Sequence, residues 1–399
     1  MRLCAALLTD TLLDSASQPP LQTDPFRAPA RRWQRAGSAP HYRARMDSPH
    51  PRTLRIPNAD DNAYILIPNA PKTPYRLILG NGDYAPVGNI GLYLSKDATY
   101  TLVQDADIDC PTNGYATHTI DPSVLFGDIP ADPALAMLQL NARAAPAHEI
   151  GDLKLLASVD LDPILASLTP TETNYDLALF TPLAERALMG RTLRTRAYTL
   201  DLLLERDNPA YPFLTRLRDY DQLYLEQDDR YMPVALADFA QTPAGGMLYA
   251  IQLKLAATDA YAIGFTRYIR RESYTGGVIS YTLPGDAPAP VEIRVQLNNN
   301  PPANQPITVY LAPAGESLTF KPDAAGVWSI HDSGRIYHCP TDDPAPLIDR
   351  TDTLQSGALP LIAPPGDGHL ALEHDPAYNT LITDLTLAAY PRYQPDQLL

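Results

Sequence analysis

The stretch RTLRTRAYTLDLLLE, residues 191–205, decides the fold of this chain. From residue 198 onward, apolar side chains occupy every second position, which is the period of a strand with one buried face. The predicted inward set is Tyr198, Leu200, Leu202 and Leu204. A second strand of this kind spans Met247–Ala256, with Tyr249, Ile251, Leu253 and Leu255 as its buried face. Both patterns are typical of an antiparallel sheet that covers a core on one side.

A short helix and a hairpin are predicted between these two strands. Pro209 and Pro212 stand where a first helical turn tolerates proline. The predicted inward helical face is Phe213, Leu214 and Leu217. Further strands are predicted at Leu153–Leu161, Tyr175–Phe180, Gln222–Glu226 and Tyr231–Phe239. Residues 150–284 therefore read as one domain of antiparallel sheet with a short helix.

Residues 285–399 contain many short apolar runs separated by turn residues. Such a density of strands is typical of a β-sandwich. The predicted strands are Val291–Leu297, Ile307–Leu311, Leu318–Lys321, Val327–Ile330, Arg335–His338, Leu370–Glu373 and Thr383–Ala389.

The N-terminal part of the chain predicts an additional β domain preceded by an arm. Residues 1–46 hold scattered proline and arginine and are predicted to be extended, with a first strand at Cys4–Leu13. Residues 47–149 are predicted to be sandwich-like, with Leu135–Leu140 as a short helix or the last strand. The other predicted strands are Leu54–Ile56, Ala63–Ile67, Tyr75–Leu79, Ile90–Leu94 and Tyr100–Val103. The fold class is thus mainly β.

Composition excludes several classes of function. The chain has 41 prolines, which favour short strands and rigid turns over long helices. A net charge of −15 disfavours nucleic-acid binding, so no sequence-specific nucleic acid is expected. The three cysteines are far apart, which is typical neither of a disulfide framework nor of a zinc site. No run of about 20 apolar residues predicts a membrane span.

Motif searches predict no catalytic residue, no metal and no cofactor, so the chain is not expected to be an enzyme. There is no nucleophile elbow, phosphate loop or zinc-protease motif. Asp105, Asp107 and Asp109 could form a calcium site on one strand face, but an acidic edge or loop is the other interpretation. His331 and His338 flank Gly334 and Arg335 in a predicted hairpin and could face each other with Asp332 as a metal site, with hairpin and surface polar residues as the other interpretation. His369 and His374 could form a metal site in the same way. Candidate surface or ligand contacts lie in a predicted hairpin: Trp328, His331, Asp332 and His338.

A tyrosine- and arginine-rich stretch separates the last two predicted domains. These are residue types that interfaces enrich, so Phe265–Ser280 is predicted to be a strand-like connector at a subunit contact. An exposed strand with ordinary polar alternation is the other interpretation. The candidate subunit-interface residues are Arg194, Arg196, Arg267, Tyr268, Arg270, Arg271 and Tyr274.

Six segments resemble the distal tail protein of long-tailed, siphovirus-like bacteriophages, a minor tail or baseplate component. They are Arg191–Glu205, Leu223–Arg230, Leu253–Gly264, Pro284–Val291, Ser356–Gly366 and Thr383–Tyr393. The resemblance covers about residues 150–395. Two departures are clear: residues 1–149 precede the part that resembles the family, and the loop at Pro364–Asp367 lacks an asparagine common after its Pro-Gly.

The resemblance implies a structural virion protein at the tail tip, assembled in the host cytoplasm. Residues 150–284 would form a hexameric ring of the kind a tail tube stacks on, and residues 285–399 would be a galectin-like sandwich. Implied partners are further copies of the chain, the tail tube protein, the tape measure protein and baseplate or receptor-binding proteins; no membrane partner is implied. Two other functions stay open: a carbohydrate-binding sandwich adhesin, and a tail-associated glycan hydrolase.

Overall fold

The structure is a computed structural model. It describes residues 1–8, 21–22, 41–44, 52–56, 62–70, 75–80, 89–95, 100–106, 115–120, 134–141, 148–150, 152–173, 195–220, 222–228, 230–264, 266–340 and 347–394.

Strands dominate the described residues. Up to residue 264 they are β1 Arg2–Leu8, β2 Leu21–Gln22, β3 His41–Ala44, β4 Arg52–Ile56, β5 Asn62–Ala70, β6 Tyr75–Gly80, β7 Asn89–Ser95, β8 Tyr100–Ala106, β9 Tyr115–Ile120, β10 Ala134–Asn141, β11 His148–Ile150, β12 Asp152–Asp160, β13 Leu165–Thr173, β14 Thr195–Glu205, β15 Leu223–Gln227, β16 Arg230–Gly245, β17 Leu248–Ala257 and β18 Ala262–Gly264. After it they are β19 Tyr268–Ser273, β20 Ile279–Leu283, β21 Ala289–Leu297, β22 Ile307–Ala312, β23 Glu316–Phe320, β24 Gly326–His331, β25 Arg335–Cys339, β26 Ile348–Asp349, β27 Leu354–Gly357, β28 Leu361–Ala363, β29 Gly366–His374, β30 Ile382–Ala389 and β31 Arg392–Tyr393.

Helical structure is short. The α-helix α1 spans Tyr211–Leu214, with proline in its first turn as predicted. Single 3₁₀ turns lie at Leu217–Asp219, Thr351–Thr353 and Pro376–Thr380. The mainly β fold class predicted from the sequence is confirmed. Among the described residues, no helix has the length and apolar character needed to cross a bilayer.

The largest sheet of the described chain has eleven strands. Its main path runs β13-β14-β17-β16-β15-β1-β12-β6-β9; β18 pairs with β16, and β31 pairs with β18. One face covers a core that includes Leu200, Leu253 and Phe213, all 0% exposed. The inward sets predicted for β14 and β17 are confirmed, except that Tyr249 is half-buried.

The first strand of the chain belongs to this large sheet. β1 lies between β12 and β15, and Leu3 and Ala5 on it are completely buried in the core. The predicted arm therefore contains a core strand, which is described over Arg2–Leu8; the rest of the strand predicted at Cys4–Leu13 lies outside the described residues. β6 and β9 also join the sheet, so the sheet crosses the domain boundary predicted at residue 149. The division into domains itself stays a prediction.

Two smaller sheets hold the other described strands before β12. Their orders are β2-β5-β10-β7-β8 and β11-β4-β3, with all pairs antiparallel. The five predicted strands of this region are present, and Leu135–Leu140 lies in a strand rather than a helix. The calcium interpretation concerns Asp107 and Asp109, which lie outside the described residues.

The edge strand β13 was not predicted. It carries Pro170, which argues against a central strand but is compatible with an edge, because proline donates no ladder hydrogen bond. β13 pairs with β14 alone in the described chain. The predicted strand Tyr175–Phe180 lies outside the described residues.

The C-terminal part is a sandwich of two sheets, and all seven predicted strands are present. One sheet runs β19-β30-β21-β24-β25-β26 with β28 beside β21, and the other runs β20-β29-β22-β23-β27. The strand character predicted for Phe265–Ser280 is present in β19 and β20, but the place of this stretch as a connector between two domains needs correction, while its subunit contact stays a prediction. β19 pairs with β30 and β20 pairs with β29, so this stretch supplies an edge strand to each sheet of the sandwich.

Candidate assembly surface

Four long strands of the large sheet form a layer with one exposed face. We call β13, β14, β17 and β16 the four-strand layer. Its inner face covers the core, while side chains that point the other way are half-buried or exposed. Leu203, in the outward set, is 44% exposed, although its neighbours Leu202 and Leu204 are buried. The exposed face is therefore large and is not covered by any described part of this chain.

Polar side chains on this exposed face are tied together across the strands. Asp201 on β14 accepts a hydrogen bond from Ser167 Oγ on β13 at 2.6 Å and from Gln252 Nε2 on β17 at 2.8 Å. These hydrogen bonds to the charged form lower the pKa of Asp201 below its ordinary value. Lys254 and Asp238 approach to 3.5 Å in the neighbouring row. The face is polar and carries fixed negative charge.

The four-strand layer has two free edges in the described chain. On one side β13 has no partner beyond β14. On the other side, β16 pairs with β15 only as far as Val234, and residues 235–245 pair with β17 alone. Free edges present unpaired N–H and C=O groups that can pair with another chain. Because the two edges lie on opposite sides of one layer, copies could join head to tail.

Exposed apolar side chains lie at one end of the layer. Met247 and Leu248, at the tip of the β16–β17 hairpin, are 64% and 37% exposed. The hairpin lies beside the end of β14, where Arg206 N–H donates to Met247 O at 2.9 Å. Together with Leu203 these side chains give the end of the exposed face an apolar margin.

A buried ion pair fixes the added strand β6 to the large sheet. Arg76 on β6 contacts Glu226 on β15, and both residues are less than 9% exposed. Cys4 Sγ on β1 lies 3.3 Å from Glu226 Oε2. Burial and the nearby Glu226 charge raise the pKa of the Cys4 thiol, which keeps the thiol protonated and unreactive. This cluster joins strands far apart in sequence and has a structural role.

The C-terminal segment joins the sandwich to the large sheet. After β30 the chain leaves the sandwich, and β31 pairs with β18 of the large sheet. Lys154 Nζ on β12 donates to Tyr390 OH at 2.9 Å, and the Arg267 guanidinium lies 5.1 Å from the centre of the same ring. Arg392 forms a 2.8 Å ion pair with Asp259. The segment fixes the two units to each other.

Gly285 is the tightest point of this junction, and Gly285→Ala is expected to open it. Its φ is +108°, and an added Cβ would lie 2.4 Å from the Arg392 backbone oxygen. The backbone strain alone is about 1–3 kcal/mol. We expect the Gly264 amide, which donates to Pro391 O at 2.8 Å, to lose protection from hydrogen exchange. Gly277→Ala is the control, because nothing lies within 4 Å of its Cβ. Unchanged protection in Gly285→Ala would contradict this account of the junction.

The predicted interface residues that the structure describes lie in two parts of the fold, and the subunit contact itself stays a prediction. Arg194 lies outside the described residues, and Arg196 lies on β14 opposite Glu172. The remaining five belong to the sandwich. Arg270 and Arg271 are exposed on β19, where they pair with Glu272 and Asp384, and Tyr268 and Tyr274 are half-buried.

The prediction that Arg267 is a subunit-interface residue needs correction, because its side chain is buried within one chain and cannot contact another subunit. Its side chain is 0% exposed within this one chain. It forms ion pairs with Glu292 at 2.9 Å and with Asp332 at 2.6 Å. The charge is therefore used inside the sandwich.

The prediction that Trp328 and His338 are surface or ligand contacts also needs correction, because both side chains are buried. Trp328 is 0% exposed, and its Nε1 donates to Ala324 O at 2.9 Å. The His338 ring packs 4.7 Å from the indole, and its Nε2 lies 2.8 Å from Ala325 O. Burial lowers the pKa of His338, so the ring is neutral at pH 7. These two rings are part of the packing of the sandwich.

His331 and Asp332 turn toward the buried charges rather than toward His338. His331 is 4% exposed, and its Nδ1 lies 3.1 Å from Asp332 Oδ1. The hairpin register places Arg335 opposite His331 and Trp328 opposite His338, so the two histidines do not face each other. His369 and His374 do not form a pair either, because His369 is hydrogen-bonded to Ser280 and His374 to Tyr274. No group of three or more potential metal-ligating side chains occurs among the described residues.

Sequence reasoning missed the buried charge cluster around Glu292. Arg294 donates to both Glu292 oxygens at 2.9 and 3.0 Å, and Ser329 Oγ donates to the same carboxylate. Burial alone would raise the pKa of Glu292, but Arg294 and Arg267 outweigh it and hold the pKa below its ordinary value. One sequence feature indicates this cluster: Glu292 and Arg294 are two residues apart, and so on the same face, in a strand that is otherwise mostly apolar.

Comparisons with known proteins give structural likenesses alone. No family model matches the chain, and no curated protein matches it. The chain is similar to the Dit protein of phage SPP1, described as a paradigm of hub adsorption apparatus in phages that infect Gram-positive bacteria. The identity is 11% and the TM-score 0.36, over 58% of this chain and 95% of that one.

Two further solved structures are similar. The baseplate of phage P2, in its activated conformation with Ca, matches at 9% identity and a TM-score of 0.29, over 57% of this chain and 88% of that chain. The CBM22-1–CBM22-2 tandem domain of Paenibacillus barcinonensis Xyn10C matches at 10% identity and a TM-score of 0.26, over 99% and 92%. At such identities the likenesses concern the fold alone.

Proposed function

We propose that this chain is a structural virion protein, a phage distal tail protein. Its copies form a hexameric ring that joins the tail tube to the tail tip or baseplate and to host-recognition proteins. The number six and the position in the virion come from the sequence resemblance. The proposal includes no catalytic activity.

The observation that carries the proposal is the pair of free edges on the four-strand layer. β13 of one copy can pair with residues 235–245 on β16 of the next copy. This contact is heterologous, because each copy uses two different surfaces. A heterologous contact gives a closed ring when its rotation closes and a filament when it does not. Ring closure removes both free edges, which would otherwise be sites of aggregation.

The exposed face of the four-strand layer would then line the central channel. Its polar rows around Asp201 and Lys254 are compatible with a wet surface, and Asp201 keeps a negative charge at pH 7. A negatively charged lining repels DNA phosphates and so favours passage over binding. The tape measure protein would occupy this channel before DNA.

The sandwich would hold the outer partners. The junction formed by Tyr390, Arg392 and β31 ties it to the large sheet, so its orientation relative to the ring is fixed. Baseplate or receptor-binding proteins attached to the sandwich would therefore have a fixed orientation relative to the ring. The tail tube protein would stack on the ring itself. Assembly would take place in the host cytoplasm.

Glu172→Pro tests the proposed edge contact, and we expect it to prevent ring formation. Pro170 has no N–H to donate to β14, so we expect the backbone nitrogen at position 170 to point toward the free edge. Backbone groups two residues apart in a strand point the same way, so the N–H of Glu172 also points toward the free edge. Proline at 172 removes an edge donor but keeps the pairing with β14. Glu172→Ala, the matched control, removes the same charge and keeps the N–H.

The readout is the mass of each variant in solution by light scattering. We expect the wild type and Glu172→Ala to have the mass of the ring, and Glu172→Pro that of a monomer. A ring formed equally well by Glu172→Pro would contradict the edge contact. Circular dichroism checks that both variants keep the β fold.

A further inference from the structure

The smaller sheet of the sandwich has an exposed face to which the proposed hub role assigns no contact. We call this surface, on β20-β29-β22-β23-β27, the outer face of the sandwich. The opposite side of the same strands is buried, with Ile279, Val309, Leu318 and Leu370 at no more than 3% exposure. Because side chains alternate along each strand, the outer face presents the intervening positions.

An exposed tyrosine stands at the centre of the outer face. Tyr310 on β22 is 40% exposed, and its hydroxyl donates to Glu373 Oε2 on β29 at 2.6 Å. Its register partners are Ala371 on β29 and Ser317 on β23, both small. The hydrogen bond holds the ring, and small neighbours leave space beside it. Val278, just before β20, adds a second exposed apolar side chain at 57%.

Polar groups flank the tyrosine in regular rows. On one side, Asp367 Oδ1 accepts from Thr282 Oγ1 at 2.6 Å, and His369 Nδ1 lies 3.2 Å from Ser280 Oγ. On the other side, Thr308 and Thr319 hydroxyls lie 2.9 Å apart. A carboxylate accepts several hydrogen bonds, so Asp367 and Glu373 keep acceptor capacity for a ligand. All these groups belong to strands, which hold them at fixed spacing.

The charge of the outer face limits what it can bind. None of its five strands contains lysine or arginine. Asp367 and Glu373 are both exposed. Anionic ligands such as nucleic acids, phosphates or acidic polysaccharides would meet uncompensated negative charge. A suitable ligand is uncharged, offers many hydroxyl donors and has an apolar face for the ring.

We propose that the outer face of the sandwich binds a neutral polysaccharide, with a sugar ring lying on Tyr310. Hexose units have hydroxyl groups around their rim and C–H groups on one face. The hydroxyls donate to Asp367 and Glu373 and exchange hydrogen bonds with His369. The C–H face contacts the tyrosine ring, which offers a large rigid surface at a small entropy loss. This site does not depend on ring formation, because all its residues lie within one sandwich.

The test uses the full-length chain on an array of neutral hexose oligosaccharides, followed by calorimetry with the best binder. We expect binding, and we expect Tyr310→Ala to weaken it about tenfold or more, since the sugar loses its contact surface. Ile348→Ala is the control, because Ile348 is 39% exposed but belongs to the other sheet. It should bind like the wild type. Tyr310→Phe keeps the ring and should retain most of the affinity.

Three outcomes would overturn the proposal. One is the absence of binding to any neutral oligosaccharide on the array. The second is binding that Tyr310→Ala and Ile348→Ala reduce equally. The third is binding to a basic probe, hexa-arginine, in place of the sugars, which would assign the outer face to a cationic protein partner. Because Tyr310 is exposed, its variants should fold, and a thermal melt of each variant checks this.

Discussion

Replacing Glu292 by alanine is expected to lower the unfolding free energy of the sandwich by about 3–5 kcal/mol. The Glu292 side chain is 0% exposed and lies between Arg294 and Arg267, whose side chains are also 0% exposed. Removing the carboxylate deletes the two oxygens to which Arg294 donates, and it deletes one of the two ion pairs of Arg267, which keeps Asp332. The buried guanidinium charges cannot be solvated in place, so the folded state loses stability.

Hydrogen exchange followed by mass spectrometry measures this effect, because it reports on the sandwich separately from the large sheet. Amides of β21 and β24 should lose protection in Glu292→Ala. The control is Asp352→Ala, which breaks a 3.4 Å surface pair with Arg350 and should change stability by less than about 1 kcal/mol. Equal protection in the two variants would contradict the structural role of Glu292.

The pKa of Glu292 is lower in the folded protein than its ordinary value, so the stability that this carboxylate contributes to the sandwich depends on pH. Because its folded-state pKa is lowered, the carboxylate's contribution is fully present above the ordinary pKa of about 4.3. The contribution is lost as the pH falls below that value toward the folded-state pKa. Removing the carboxylate should therefore make the acid unfolding of the sandwich less steep.

Trp328→Ala is expected to destabilise the sandwich by about 3–5 kcal/mol. The indole is 0% exposed, and its ring centre lies 4.7 Å from that of His338 and 5.9 Å from that of Phe320. Alanine would leave a cavity and an unpaired Ala324 carbonyl. Trp328→Phe should have a smaller effect, since it refills part of the volume.

Chemical unfolding followed by far-ultraviolet circular dichroism measures this loss. Val278→Ala, at an exposed apolar position, is the control and should change stability by less than about 0.5 kcal/mol. If Trp328→Ala leaves stability unchanged but abolishes ligand binding, the tryptophan is a surface contact after all and its placement in the core is wrong.

Strand pattern was the most predictable part of the fold. The period of two in β14 and β17 identified the buried sets because one face of each strand covers the core. Short apolar runs likewise identified the seven strands of the sandwich. β13 was missed because its sequence, LASLTPTET, has few apolar residues and a proline. An edge strand buries few apolar side chains, so the alternation of apolar and polar residues that identifies a strand is weak there.

Long-range pairing was not predictable from local pattern. β1 lies between β12 and β15, and the chain that separates β1 from β12 is long. No local signal reports such a partner, so the sequence alone predicts that the first strand belongs to an extended arm. The connector prediction failed for a similar reason, since β19 and β20 pair with strands about a hundred residues later.

Site residues were the least predictable part. Tryptophan, histidine and arginine are typical both of binding surfaces and of buried polar clusters, and sequence alone does not separate these settings. Burial decided the matter for Trp328, His338 and Arg267. Tyr310, by contrast, was not singled out, because a single tyrosine in an alternating strand has no distinctive signal.

The most direct test of the hub proposal is the mass and symmetry of the purified full-length chain, by light scattering with electron-microscope class averages. The account predicts closed rings of six copies of the 43.7 kDa chain, with a central channel and with β13 of each copy beside β16 of its neighbour. A monomer at every concentration, or a two-fold dimer that leaves both edges of the four-strand layer free, would contradict it.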